Sequence, residues 1–282
     1  MKVLELFSGT HSIGVVAKQL NYDVVSLDRD LDATSKIYDY TSPYHIKCDI
    51  LKWDYKKDFK QGDFDIITAS PVCLYWSILR NCWKGRKFKN SDEVVTTETL
   101  QRDIDVYAKP MVDKVFEIIE YFKPKYYWIE NPKTSKMWEY IKSKWVFDDD
   151  ERFLTFDYCK YSDWGYKKPT TFLTNILNIE PKICKNDCEN MLENRKGHNV
   201  NNCGYIYYKD ENGVPHKCHS EKLKQKAIAK GWTKMKLNKH VKNINSIGGG
   251  SNRLERYRIP HKIIEELFKN CNAEKTANKS EN

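Results

Sequence analysis

Short apolar runs alternate with helix-period stretches through the first half of the chain, and this alternation constrains the fold more than any other feature. Five runs read as strands: Val3 to Phe7, Asp23 to Leu27, Tyr44 to Lys47, Phe64 to Ala69 and Lys125 to Ile129, each closed by a polar or Gly/Pro-containing turn. Strands separated by helical segments build βαβ units, so the expected fold is α/β, a doubly wound, Rossmann-like, largely parallel sheet. Met111, Val115, Ile118, Ile119 and Phe122 share one helical face, with Pro110 in the first turn. Phe153 to Cys159 and Thr171 to Asn175 read as an antiparallel pair completing the sheet. From 176 to 250 the composition shifts to Asn, Lys, Cys and His, the mark expected of a small second domain. Pro260 then opens a helix whose Ile263, Ile264, Leu267 and Phe268 face back onto the sheet. The main domain is thus expected over 1–175 and 251–270, with 271–282 a disordered polar tail.

Composition adds boundaries. With 40% hydrophobic and 31% charged residues the chain reads as globular, not fibrous or disordered. No run reaches membrane-spanning length, and the chain enters a strand pattern at Met1-Lys2-Val3 with no room for a leader, so the expected location is cytoplasmic, away from membranes. Nine scattered cysteines suggest reduced thiols, not a disulfide framework. A net charge of +9 favours a polyanionic partner, although a well-solvated Lys-rich surface reads equally well from charge alone.

Strand ends carry the chemistry. The turn Phe7-Ser8-Gly9-Thr10-His11-Ser12-Ile13-Gly14 lies between the first strand and a helix, where a nucleotide-like cofactor approaches backbone amides in doubly wound folds. Gly14 is followed by Val15 and Val16, not by Lys and Ser/Thr, which disfavours a phosphate loop. Asp28, Asp49 and Glu130 bring carboxylates to the same sheet edge, and Asp28 is spaced to accept from ribose hydroxyls; an ordinary structural turn is the alternative. Ser70-Pro71-Val72-Cys73 holds a thiol at the exit of the fourth strand, either exposed to substrate or buried as a small apolar group. Tyr126 to Asn131 delivers Glu130 from an apolar strand, as a proton donor of raised pKa or as an acceptor for backbone amides of the next helix. Between Ser70 and Leu100 a long aperiodic segment mixes Arg80, Lys84, Arg86, Lys87 and Lys89 with Trp76, Trp83 and Phe88, which suits a binding loop or a solvated charge run. Cys184-x3-Cys188, His198, Cys203 and Cys218-His219 could supply soft ligands to zinc, but without a CxxC pair free thiols are the preferred reading and no metal is expected.

In order and spacing these residues resemble the cytosine-C5 DNA methyltransferases, over Val3 to Asn175 and again over Arg256 to Leu267. Leu6-Phe7-Ser8-Gly9 resembles the cofactor turn, Asp28 the ribose acid, Asp49-Ile50 the adenine-contacting segment, Pro71-Val72-Cys73 with Ser77 the nucleophile loop, and Glu130-Asn131 the Glu-Asn motif. Tyr158-Cys159-Lys160-Tyr161 followed by Lys167-Lys168-Pro169-Thr170 is similar to a compact branch of phages and large DNA viruses. The resemblance implies S-adenosylmethionine as cofactor, held by Phe7, Ser8, Gly9, Thr10, His11, Ser12, Asp28, Arg29, Asp49, Ile50, Ser70 and Pro71. It implies Cys73 as nucleophile, Glu130 as acid at ring N3 and Asn131 as a loop anchor. Double-stranded DNA is the implied partner, contacted through Ser77, Arg80, Lys84, Arg86, Lys167 and Lys168, with residues 176–250 in the place of the target-recognition domain and the chain monomeric. The same chemistry on RNA and an inactive nucleic-acid-binding copy are the alternatives. Four departures stand out: His11-Ser12 where relatives carry Gly, Val72 in place of a second Pro, Lys168-Pro169-Thr170 in place of a Gln/Arg-rich pattern, and Tyr257-Arg258-Ile259-Pro260 in place of a Gly-Asn turn. Neither the nucleophile nor the acid is lost.

Overall fold

A computed structural model describes residues 1–88, 91–164, 167–185, 187–188, 206–218, 221–234, 254 and 257–280. The apolar runs fold as strands β1 (Lys2–Leu6), β2 (Asp23–Asp28), β3 (Tyr44–Lys47), β4 (Ile66–Ala69), β5 (Tyr126–Pro132), β6 (Arg152–Asp157) and β7 (Pro169–Thr174). They form one sheet in the order β3-β2-β1-β4-β5-β7-β6. The first five are mutually parallel where they pair, and β7 runs antiparallel between β5 and β6. Strand order reverses between β1 and β4, the switch point outside which open α/β sheets bind ligands.

Alternation along each strand loads both faces. Leu4, Leu6, Val25, Leu27, Ile67, Ala69, Tyr127 and Ile129 pack under α4 (Lys109–Phe122) and α5 (Met137–Lys144). Val3, Val24, Ile66, Tyr126 and Trp128 point the other way, beneath α1 (Ser12–Gln19) and the C-terminal helix α7 (His261–Ser280). Period-two burial on both faces explains why these strands read as nearly continuous apolar runs. Helix α4 buries Met111, Val112, Val115, Ile118 and Phe122, while Ile119 is only half-buried. Helix α7 fully buries Ile263, Ile264, Leu267 and Phe268.

Three expectations need correction. The segment 70–100 contains a 3-10 turn at Ile78–Trp83 and the start of helix α3 (Thr97–Asp103); short α2 (Tyr55–Asp58) was also not foreseen. Helix α3 begins at a reciprocal cap in which Thr96 accepts from the Thr99 amide and Thr99 accepts from the Thr96 amide, a capping box built from Thr where Glu or Gln is usual. The core beneath α1 and α7 also extends past residue 175, because Ile176 and Ile179 pack with β7 and α7. Finally, α7 continues through Ser280 where a disordered tail was expected; fully buried Cys271 carries the helix past 270, and Ala, Glu and Lys beyond it are good helix formers. A small antiparallel sheet, β10-β8-β9, is formed by β8 (Ile206–Lys209), β9 (Pro215–Cys218) and β10 (Thr233–Lys234). With α6 (Glu221–Ala229) it contributes a minor core of Tyr208, Ala227 and Trp232. Among the described residues, no helix is long and apolar enough to cross a membrane.

Candidate active site

The turn after β1 is strained and tightly held. Phe7, Gly9 and His11 all have positive φ, at 57°, 53° and 60°, and for Phe and His that conformation survives only when the surroundings impose it. Two carboxylates impose it. Glu5, on the α1 face of β1 and almost fully buried, accepts from the Ile13 and Gly14 amides at 3.2 Å each, neutralising the exposed donors of the α1 N-terminus, and from the Ser26 hydroxyl at 2.8 Å. Asp28 accepts from the Gly9 amide at 3.1 Å with one oxygen and from the Asp30 and Leu31 amides at 2.9 and 3.1 Å with the other. Gly14 cannot be exchanged for a larger residue, since a Cβ there would lie 2.5 Å from the Tyr40 hydroxyl oxygen.

The expected cofactor set therefore divides. Phe7 and Gly9 remain partly exposed, as do Asp28, Asp49 and Ser70, and Arg29 lies on the surface paired with Asp30. Ser8, Thr10, His11, Ser12, Ile50 and Pro71 are buried, which removes their side chains from an open surface and leaves only their backbone to offer. His11 is fully buried, 3.4 Å from Glu5 and bonded through Nε2 to the Asp32 carbonyl at 3.0 Å. Burial pushes its pKa down, but Glu5 and the carbonyl outweigh this and leave it raised. The Ser12 hydroxyl accepts from the Ile259 amide at 3.2 Å, so the segment that departs from the Gly-Asn turn braces this corner. Sequence reasoning missed Glu5, whose signal is a carboxylate at an inward position of an otherwise apolar strand.

A second group gathers where β4 and β5 end. Cys73 is partly exposed on the loop after β4; Glu130 lies within β5, not beyond it, and is 7% exposed. Asn131 donates to the Pro71 carbonyl at 2.8 Å and so ties the thiol loop to β5. The Tyr158 hydroxyl donates to Glu130 at 3.3 Å, and the Ser70 hydroxyl also bonds it, so Glu130 is held by side chains and not by amides of the next helix. Burial raises the Glu130 pKa above the ordinary carboxyl range, opposed by Lys168, Ser70 and Tyr158. Burial likewise pushes the Cys73 thiol up, Glu130 adds to this, and Lys168 opposes it. Lys168, expected at a phosphate, thus acts on both Cys73 and Glu130; its ammonium also lies 4.8 Å from the Tyr158 ring centroid.

The loop beyond Cys73 contains another reversal. Arg80 is buried, ion-paired with Asp103 of α3 and packed near the Tyr75 and Trp83 rings, so it is not an exposed phosphate contact. Ser77 caps the 3-10 turn by accepting from the Leu79 amide. Lys167 is bonded to the Cys184 carbonyl at 2.8 Å and paired with Asp157 at 3.2 Å. Lys84 and Arg86 are exposed, as are the apolar side chains of Leu74, Ile78 and Leu79 in the same loop. Of the cysteines weighed as zinc ligands, Cys184 and Cys188 meet Cys159, which was not among them; His198, Cys203, His219 and the side chain of Cys218 lie outside the described residues.

No family model matches the chain. It is 38% identical, over 197 residues that span 69% of this chain and 80% of the relative, to a probable DNA (cytosine-5)-methyltransferase of Frog virus 3 (isolate Goorha). Among solved structures it is similar to the Entamoeba histolytica methyltransferase EhMeth, with 12% identity, TM-score 0.49 and coverage of 96% of this chain and 97% of that one. It is also similar to the S. pombe Dnmt2 methyltransferase, with 14% identity, TM-score 0.36 and coverage of 66% of this chain and 53% of that one.

Proposed function

Because this chain belongs to the DNA (cytosine-5)-methyltransferase family, we propose that it methylates carbon 5 of cytosine in duplex DNA, with Cys73 as covalent nucleophile and Glu130 as proton donor at ring N3. The observation that carries this reading is the shared environment of the two groups: Glu130 bears on the ionisation of Cys73, Lys168 acts on both, and Asn131 fixes the loop between them. A thiol of raised pKa is a strong nucleophile once ionised, and a buried carboxyl of raised pKa keeps its proton to higher pH, so the pair suits simultaneous attack and protonation.

Carbon 5 of cytosine is a poor nucleophile. The Cys73 thiolate adds to carbon 6, forming the C–S bond while Glu130 protonates N3, and the resulting enamine makes carbon 5 reactive. S-adenosylmethionine supplies the electrophilic methyl group when bound. Once carbon 5 carries the methyl group, its proton passes to solvent water as the C–S bond breaks, which expels the Cys73 thiolate and restores the aromatic ring, with the N3 proton returning to Glu130. Lys168 favours the thiolate before attack.

The strained turn fits that cofactor. Gly9 is partly exposed at positive φ, with only the Phe7 carbonyl oxygen, at 3.6 Å, near where a Cβ would stand, so backbone is open to a ligand. A carboxylate has about four acceptor positions, and the three amides on Asp28 leave one for a ribose hydroxyl. Phe7, Gly9, Asp28, Asp49 and Ser70 would hold the cofactor. Because C5 and C6 are stacked within a duplex, the base must be flipped out; exposed Leu74, Ile78 and Leu79 with Lys84 and Arg86 suit a loop that fills the gap and holds phosphates. The part of residues 176–250 beyond Ile179 is assigned to target recognition.

The test is a trapped adduct. Incubation with S-adenosylmethionine and duplex DNA containing 5-fluorocytosine is expected to yield a covalent complex with the native chain and none with Cys73→Ala. An adduct that persists in Cys73→Ala, or forms with RNA and not with DNA, overturns the reading.

A further inference from the structure

Outside this site, three thiols converge that the proposed reaction does not use. Cys159 lies in the 3-10 turn after β6, and Cys184 and Cys188 in the segment leaving β7; their sulfur atoms all lie within 4.8 Å of one another. None is disulfide-bonded. Cys159 and Cys184 are buried and Cys188 is partly exposed, leaving an approach from solvent on one side. We propose that Cys159, Cys184 and Cys188 bind a structural zinc ion that pins the turn after β6 to the chain leaving β7.

Four observations support this assignment. Tetrahedral zinc with Zn–S bonds of about 2.3 Å places sulfurs about 3.8 Å apart, so small side-chain rotations bring the trio to ligand geometry. Packing alone gives no reason for three thiols from two chain segments to meet, since an apolar pocket is filled as well by Val or Ala. The framework is already fixed: the Cys184 amide donates to Asp157 at 2.7 Å, and Lys167 bonds both Asp157 and the Cys184 carbonyl. Lys160, paired with Asp187 at 2.8 Å, interacts with Cys184 and Cys188 and so offers a cation where three thiolates and one divalent ion would leave net negative charge. Zinc would displace the three thiol protons and take one further donor to complete its shell.

The site also has a structural purpose. Tyr158, adjacent to Cys159, bonds Glu130, and Lys168 lies at the far end of the same loop. Zinc would restrain the wall that orients the acid without touching substrate.

Metal analysis of the full chain, purified under reducing conditions without chelator, tests this. About one zinc per chain is expected, released by a mercurial thiol reagent, lost in C184S/C188S and retained in C82S, whose thiol is exposed elsewhere. Should the double variant fail to fold, native protein stripped by chelator and titrated with cobalt(II) is expected to show a sulfur-to-cobalt charge-transfer band and tetrahedral visible bands. Background zinc without a cobalt–thiolate band, zinc retained in a folded C184S/C188S, or a native disulfide within the trio overturns the proposal.

Discussion

Glu130 illustrates how one residue trades stability for chemistry. Its pKa is raised by burial, so the folded state binds its proton more tightly than the unfolded state does. Its favourable contribution is full below the ordinary carboxyl range and declines as pH rises through the folded value. Glu130→Gln is therefore expected to melt about 2 °C or more above the native chain at pH 7, with the difference vanishing in acid, while methyl transfer falls roughly 10²–10⁴-fold. Calorimetry across pH, paired with initial rates, checks both signs. Lys168 works in the opposite direction on Cys73. Lys168→Met is expected to move the rising limb of the pH–rate profile to higher pH by about one unit, with Lys168→Arg near native; an unmoved limb would show that Lys168 does not govern the thiol. The placement of Cys73, Glu130 and Asn131 near one sheet edge was legible because strand exits lie there. The importance of Lys168 and Glu5 was not, since each depends on neighbours brought together from distant segments.

Among elements, the strands were the most legible, because burial on both faces forces apolar residues into nearly every position. Helix α3 was hidden by its brevity and its Thr-only cap. It also joins α4 through a π-helical segment, Ile104–Ala108, just before Pro110. Proline lacks the amide that would bond the carbonyl four residues earlier, and widening the preceding turn accommodates that loss. Read from the sequence, the same proline marks a helix start. Helix α3 also explains Arg80, whose buried partner Asp103 lies at its C-terminal end. Arg80→Ala leaves that buried carboxylate with only half-exposed Arg102, at 3.8 Å, and is expected to cost about 3 kcal/mol of stability. Denaturant titration measures the loss, and a stability unchanged within about 0.5 kcal/mol would return Arg80 to the surface-loop role.

For the molecule as a whole, the net charge of +9 pointed to a polyanion but not to the residues that meet it. Burial separates them: Arg80 and Lys167 are committed internally, whereas Lys84 and Arg86 stand exposed in the loop after β4. In Lys84→Ala/Arg86→Ala the slope of log affinity against log salt is expected to fall by about two, one per lost phosphate contact, with melting temperature unchanged. Filter-binding assays over a salt series decide this, and an unaltered slope would move the phosphate track elsewhere. The overall architecture was legible because its alternation is local. The second sheet was less so, because its segments are short, polar and weakly periodic. The clasp between Ser12 and Ile259 joins residues 247 positions apart, and α7 closes the sheet face beside α1. During synthesis, a nascent polypeptide leaving the ribosome must display a half-covered greasy plane until these last segments emerge.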